Sequence, residues 1–244
     1  MKKMLFGMSA LVLLFASCTG NDDEGSNNNG GVVLLKKTIE TGPDGDVYIS
    51  TATYNGTKLD KITTNDGETI EFTYTGDNIT KMVYKLDGEI DQEERYTYDS
   101  QGRLATHVSL DFDFNDGSRE VFTYNSDNVV SVQRFSGDLT SQTQEGDPYT
   151  ITFANGEVSQ IVSAFGTTTF TYDDKNSPFK NVTGYAKISY VDLGASGTMH
   201  NMLTETSSNG DDTVYTYQYN SANYPTQSTE TYDGDVYVTQ FQYN

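Results

Sequence analysis

An all-β fold, an antiparallel up-and-down meander of hairpin repeats curled or closed into a barrel-like body, is what the sequence predicts, and three observations predict it. Apolar and polar residues alternate with a two-residue period along most of the chain, and helical spacing is almost absent. Turn pairs such as Asn55-Gly56, Asp66-Gly67, Asp87-Gly88, Asn155-Gly156 and Asp233-Gly234 punctuate those stretches. Such pairs supply the positive φ that tight hairpins require. A motif of aromatic, threonine and tyrosine recurs as Phe72-Thr73-Tyr74, Tyr96-Thr97-Tyr98, Phe122-Thr123-Tyr124, Phe170-Thr171-Tyr172 and Tyr215-Thr216-Tyr217, with Ile151-Thr152-Phe153 and Phe241-Gln242-Tyr243 as variants.

The chain opens MKKMLFGMSALVLLFASC, in which Lys2 and Lys3 precede an apolar run that ends in small residues before Cys18. That arrangement is a secretory leader, and the run is shorter than the ~20 residues a membrane-spanning helix needs. LLFASC looks like a bacterial lipobox, so residues 1–17 are expected to be cleaved as a lipoprotein signal peptide and Cys18 to carry the lipid. Acyl chains there would hold the protein on a membrane. Residues 18–31 are polar, acidic and glycine-rich, which predicts a flexible tether. Asp22, Asp23 and Glu24 resemble the acidic surface-export signal of Bacteroidetes lipoproteins.

Residues 32–244 are expected to form one β-repeat domain. In each motif copy the two aromatics share one face of a strand and the threonine takes the other, an arrangement that strand packing alone explains. After the turn come apolar residues three apart: Leu59 and Ile62, Ile79 and Met82, Val129 and Val132, Val158 and Ile161. This conflicts with strict alternation and predicts a β-bulge at the start of each returning strand. The run Leu104–Phe114 reads as an unbroken strand, with Leu104, Thr106, Val108, Leu110, Phe112 and Phe114 inward and Ala105, His107, Ser109, Asp111 and Asp113 in water. Motif copies are separated by 19 to 29 residues except for one step of 45, which reads as two periods with an eroded copy. That step holds residues 173–209, an irregular excursion with Pro178 and weak alternation, in which a strand is expected near 186–191. Insertions of this kind often carry function.

The formal net charge is −20, and removing Lys2 and Lys3 makes it more negative, so nucleic acid and anionic surfaces are repelled. A single cysteine leaves no intramolecular disulfide. Catalytic motifs of the HExxH, P-loop, CxxC and GxSxG types are absent. Of the two histidines, His107 reads as a surface residue, and His200, beside Met199 and Met202, as a partly buried one. Asp111, Asp113 and Asn115 imitate the start of a calcium loop, but Asp116 stands where that loop needs glycine. Neighbouring carboxylates such as Glu93 and Glu94 point to opposite faces of a strand and cannot flank one bond.

Tyr98, Asp99, Gly102, Arg103 and Leu104 resemble the tyrosine-aspartate repeat of Rhs-type proteins, which form curling β-hairpin arrays. Most of the mature chain, notably Tyr172 to Lys180 and Tyr219 to Thr226, resembles a family of uncharacterised Bacteroidetes lipoproteins with a porin-like fold. The resemblance implies a barrel-like body and a lipid anchor, and brings no catalytic residues. If the aromatic faces point inward, the outer wall is charged and the molecule soluble; if they point outward, the barrel meets lipid around a polar lumen; the first arrangement is the expected one. The expectation for function is a lipid-anchored envelope protein at the outer membrane surface, without catalytic activity, metal or cofactor, binding a glycan, a peptide or an outer-membrane protein. The alternatives are a structural or accessory subunit of an outer-membrane complex, and a glycan hydrolase with its site across strands.

Overall fold

The computed structural model describes residues 31–244 apart from 127 and 211. The predicted leader and Cys18 lie outside the described residues, as does the tether except Gly31. The strands are β1 (Leu35–Thr41), β2 (Val47–Asn55), β3 (Lys58–Thr64), β4 (Glu68–Thr75), β5 (Asn78–Leu86), β6 (Glu89–Tyr98), β7 (Leu104–Asp111), β8 (Asp116–Ser126) and β9 (Val129–Gly137). They continue as β10 (Gln142–Glu145), β11 (Tyr149–Ala154), β12 (Glu157–Ser163), β13 (Gly166–Tyr172), β14 (Met202–Ser207), β15 (Thr213–Tyr219), β16 (Pro225–Tyr232) and β17 (Asp235–Tyr243). A single 3-10 turn, η1, spans Tyr185–Lys187.

Each strand pairs antiparallel with its neighbours, and β1 pairs with both β2 and β17, which closes the meander into a 16-strand barrel. The short β10 lies beside β11 along the same edge of β9 and takes no place of its own in the ring. Closure leaves no open sheet edge.

The motif's aromatics point inward. Phe72, Tyr96, Phe122, Ile151 and Phe170 are buried in one core cluster, whereas Thr73, Thr97, Thr123, Thr171 and Thr216 are exposed. The outer wall also carries ion pairs: Glu71 with Lys61 at 3.2 Å and Lys85 at 2.7 Å, and Glu93 with Lys81 at 3.5 Å and Arg95 at 2.5 Å. Threonine hydroxyls meet across strands at Thr97–Thr106 and Thr171–Thr204. A lipid-spanning barrel has the reverse distribution, apolar outside and polar within.

The bulges fall where residues three apart predict them in β3, β5 and β12, and β7 carries one as well. Beside β9 the extra residue lies instead in β8, since Tyr124 pairs with Val130 and Ser126 with Val129. The bulges in the returning strands expose backbone groups to the interior, and the motif's last tyrosine serves them from the next hairpin. The Tyr98 hydroxyl donates to the Ile79 carbonyl at 2.6 Å, Tyr124 to Leu104 at 2.9 Å, Tyr172 to Val158 at 2.8 Å, Tyr217 to Met202 at 2.8 Å and Tyr243 to Pro225 at 2.9 Å. Tyr74 accepts from the Leu59 N–H at 3.1 Å. Where β9 faces β11 without a bulge, the motif ends in Phe153, which has no hydroxyl to place.

Three expectations are corrected here. The bulge at Ala105 turns the face of β7, so Leu104 and His107 point inward, Leu110 is buried on the opposite face beside Glu93 and Gly117, and the strand stops at Asp111, leaving Phe112 and Phe114 exposed in a turn. The 45-residue step is one hairpin period enlarged by an insertion, because only β14 separates β13 from β15. No strand forms near 186–191, where η1 and irregular backbone stand instead, and the end of the excursion, Met202–Ser207, is β14.

A 16-stranded ring encloses more space than side chains alone can fill. The excursion occupies that space as a plug that makes one lap inside the mouth. Asn176 N–H donates to Asn223 O in the β15–β16 turn, and Asn181 Nδ2 donates to Val33 O and to the Tyr224 hydroxyl. Thr183 then meets Thr57 in the β2–β3 turn, and Lys187 Nζ donates to Asn78 Oδ1 at 2.6 Å beside β5. Tyr190 packs edge-on to Phe122 and Phe153, and the Asp192 N–H reaches Glu120 on β8. The lap closes where residues 198–200 meet Glu157 on β12.

Candidate functional site

The plug brings buried polar groups together at its foot and at its tip. At the foot, the buried Glu157 accepts the backbone N–H groups of Thr198, Met199 and His200 at 3.3, 2.7 and 2.8 Å. Asp173 accepts from Asn201 N at 3.0 Å and Asn201 Nδ2 at 2.9 Å, and the Tyr219 hydroxyl also donates to it. Between this latch and the wall lies a cleft of about 450 Å³ lined by Glu157, Phe170, Tyr172, Asp173, Asp174 and His200, among others. That volume is within the range of small-ligand sites. Its lining includes three carboxylates, Glu157, Asp173 and Asp174, and two aromatic rings, Phe170 and Tyr172. His200 is partly buried, as expected, with Nδ1 3.7 Å from Glu157.

At the tip, His107 is 0% exposed and faces three carboxylates, contrary to the surface position expected of it. The physical reason is the Ala105 bulge, which gives Leu104 and His107 the same three-residue spacing as Leu59 and Ile62 or Ile79 and Met82. That spacing is visible in the sequence and was the available signal; only the apolar pairs displayed it as a pattern. His107 Nδ1 lies 3.3 Å from Glu120 Oε2 and 3.8 Å from Asp192 Oδ2, and Nε2 lies 3.5 Å from Glu94 Oε2. Tyr96 stacks on the imidazole with ring centroids 5.1 Å apart and donates its hydroxyl to Glu94. The Tyr149 hydroxyl donates to Glu120 Oε1 at 2.9 Å. Burial by itself would lower the His107 pKa, but the hydrogen bond with Glu120 and the negative charges of Glu94 and Asp192 outweigh it and raise the pKa to about 10. Burial and the neighbouring Glu120 raise Asp192 to about 6. Asp192 and Leu193 both have left-handed backbone, φ 51° and 61°, which is uncommon for two successive residues with side chains.

The other polar groups singled out in the sequence stay apart. Asp111 and Asp113 flank the β7–β8 turn, where Asp111 accepts the Phe114 N–H at 2.9 Å and the loop geometry of a calcium site is absent. Glu93 and Glu94 face opposite sides of the wall, one in the outer ion pairs and one beside His107.

No protein-family model and no curated protein matches the chain. Among solved structures it is similar to a porin-like protein from Bacteroides vulgatus ATCC 8482, with TM-score 0.52 and 12% identity over 86% of this chain and 98% of that one. A porin-like protein from Bacteroides uniformis ATCC 8492 is also matched, with TM-score 0.38 and 14% identity over 86% of this chain and 85% of that one. At such identity the likeness to the first shows the fold, a porin-like β-barrel.

Proposed function

We propose that the chain is a lipid-anchored cell-envelope protein without catalytic activity, a binding module held at the outer membrane surface through Cys18. The observation that carries the binding role is the cleft of about 450 Å³ at the foot of the plug, where Phe170 and Tyr172 lie beside Asp173, Asp174 and His200. Aromatic faces next to hydrogen-bonding groups suit a glycan or a peptide. The barrel does not serve as a lipid-embedded channel in this reading. Its outer wall bears threonines and the ion pairs of Glu71 and Glu93, and its mouth is crossed by the plug. A thermal-shift screen against glycans and short peptides tests the proposal. A ligand that raises Tm for the parent chain, and fails to do so for D174A and H200A, supports it; no shift across the panel counts against it.

A second reading, an accessory subunit of an outer-membrane complex, is favoured by the opposite rim. There Leu86, Ile90, Phe112, Phe114 and Phe165 are exposed, Phe165 by 70% and Phe114 by 64%. Exposed apolar groups gathered at one end mark interaction surfaces. Recovery of an envelope protein with the lipidated chain, lost on F114S/F165S substitution, favours this reading.

A further inference from the structure

We propose that His107, Glu120 and Asp192 form a binding site for one divalent transition-metal ion, with Zn²⁺ the best fit, and that Glu94 orients the imidazole from its far side. The site lies at the tip of the plug and is independent of the cleft at its foot, so either can fail without the other.

The donor atoms are already gathered. Nδ1 of His107 is 3.3 Å from Glu120 and 3.8 Å from Asp192, and all three donors lie within 4.8 Å of one another. Ligand atoms ~2.1 Å from an ion in a tetrahedron stand ~3.4 Å apart, so only Asp192 has to shift, and it sits on a loop rather than on a strand. A donor set of one imidazole and two carboxylates suits Zn²⁺ or Mn²⁺. Ca²⁺ and Mg²⁺ prefer oxygen alone, and Cu⁺ prefers sulfur.

A second observation is independent of the carboxylates. His107 Nε2 is fully buried and has no hydrogen-bond partner, with Glu94 Oε2 3.5 Å away. A buried polar atom left unpaired is costly. An ion on Nδ1 fixes the proton on Nε2, where it can be donated to Glu94, the carboxylate–histidine–metal arrangement that orients metal-bound imidazoles. The carboxylates are themselves held: Glu94 by Tyr96 and by Gln92 Nε2 at 3.1 Å, and Glu120 by Tyr149 at 2.9 Å. The Asp192 side chain is 44% exposed, which leaves a path for the ion and room for water as a fourth ligand. The three ligands come from β7, β8 and the plug, so the ion ties the plug's tip to the barrel wall.

The test is isothermal titration of the chelator-treated full chain with Zn²⁺, with Ca²⁺ and the variant H200N as controls, and with Co²⁺ as a visible-absorption probe. One equivalent of Zn²⁺ is expected, together with Co²⁺ d–d bands, unchanged in H200N and weakened by at least about tenfold in D192N. E120Q and H107N should abolish uptake. Should these two buried variants not fold, D192N still decides, because it alters a half-exposed loop residue. Absence of stoichiometric Zn²⁺ uptake, uptake indifferent to D192N, or preference for Ca²⁺ would each overturn the assignment.

Discussion

At the scale of single residues, the tyrosine that ends each motif has a task beyond packing. It donates to a carbonyl, or accepts from an N–H, that a bulge in the neighbouring hairpin has freed. Y98F should therefore cost about 1 kcal/mol in urea denaturation, since it removes the donor to Ile79 and leaves the ring in place. F153Y should also destabilise, because β9 pairs with β11 without a bulge and provides no such acceptor. Glu40 is a second residue with a measurable signature. Burial, with a smaller contribution from Glu230, raises its pKa to about 7 in the folded barrel, against 4.5 ordinarily. The folded state then binds the proton more tightly, so the Glu40 contribution to stability is greatest below pH 4.5 and is lost as pH rises through about 7. E40Q should flatten that slope, as measured by urea midpoints across the window. The aromatic repeat was legible residue by residue, but the hydroxyl contacts were not, since they depend on a strand some 20 positions away in the chain.

At the scale of elements, the bulges decide which side chains enter the barrel. Without the extra residue Ala105, Leu104 and His107 would stand two apart and both still point inward, so the bulge is what lets residues three apart share the inner face. The sequence displayed this spacing wherever both members were apolar and hid it at Leu104 and His107, because a histidine reads as polar whichever way it faces. The plug has its own weak points. Gly184 has φ 79°, and a Cβ there would stand 2.6 Å from the Asp77 carbonyl. G184A should expose residues 173–201 to limited proteolysis while the barrel remains resistant. E157A, which strips three backbone N–H groups of their acceptor, should cost about 3 kcal/mol.

At the scale of the whole molecule, an aromatic interior and a threonine-rich, ion-paired wall are the reverse of the distribution a lipid-spanning barrel carries. Residues 32–244, expressed without the leader and the proposed lipid anchor, should stay in the soluble fraction without detergent and give no conductance in planar bilayers. Detergent dependence would refute the orientation of its faces. The sequence by itself determined the all-β meander, its hairpin period and the placing of each motif's aromatics on one strand face, because these follow from local alternation and turn chemistry. Only the tertiary structure decided that the ring closes at 16 strands, that the excursion makes a lap inside it, and that His107 lies among Glu94, Glu120 and Asp192. Each of these joins residues far apart in the chain. Their meeting depends on the accumulated curvature of many hairpins and on the space that curvature leaves to be filled.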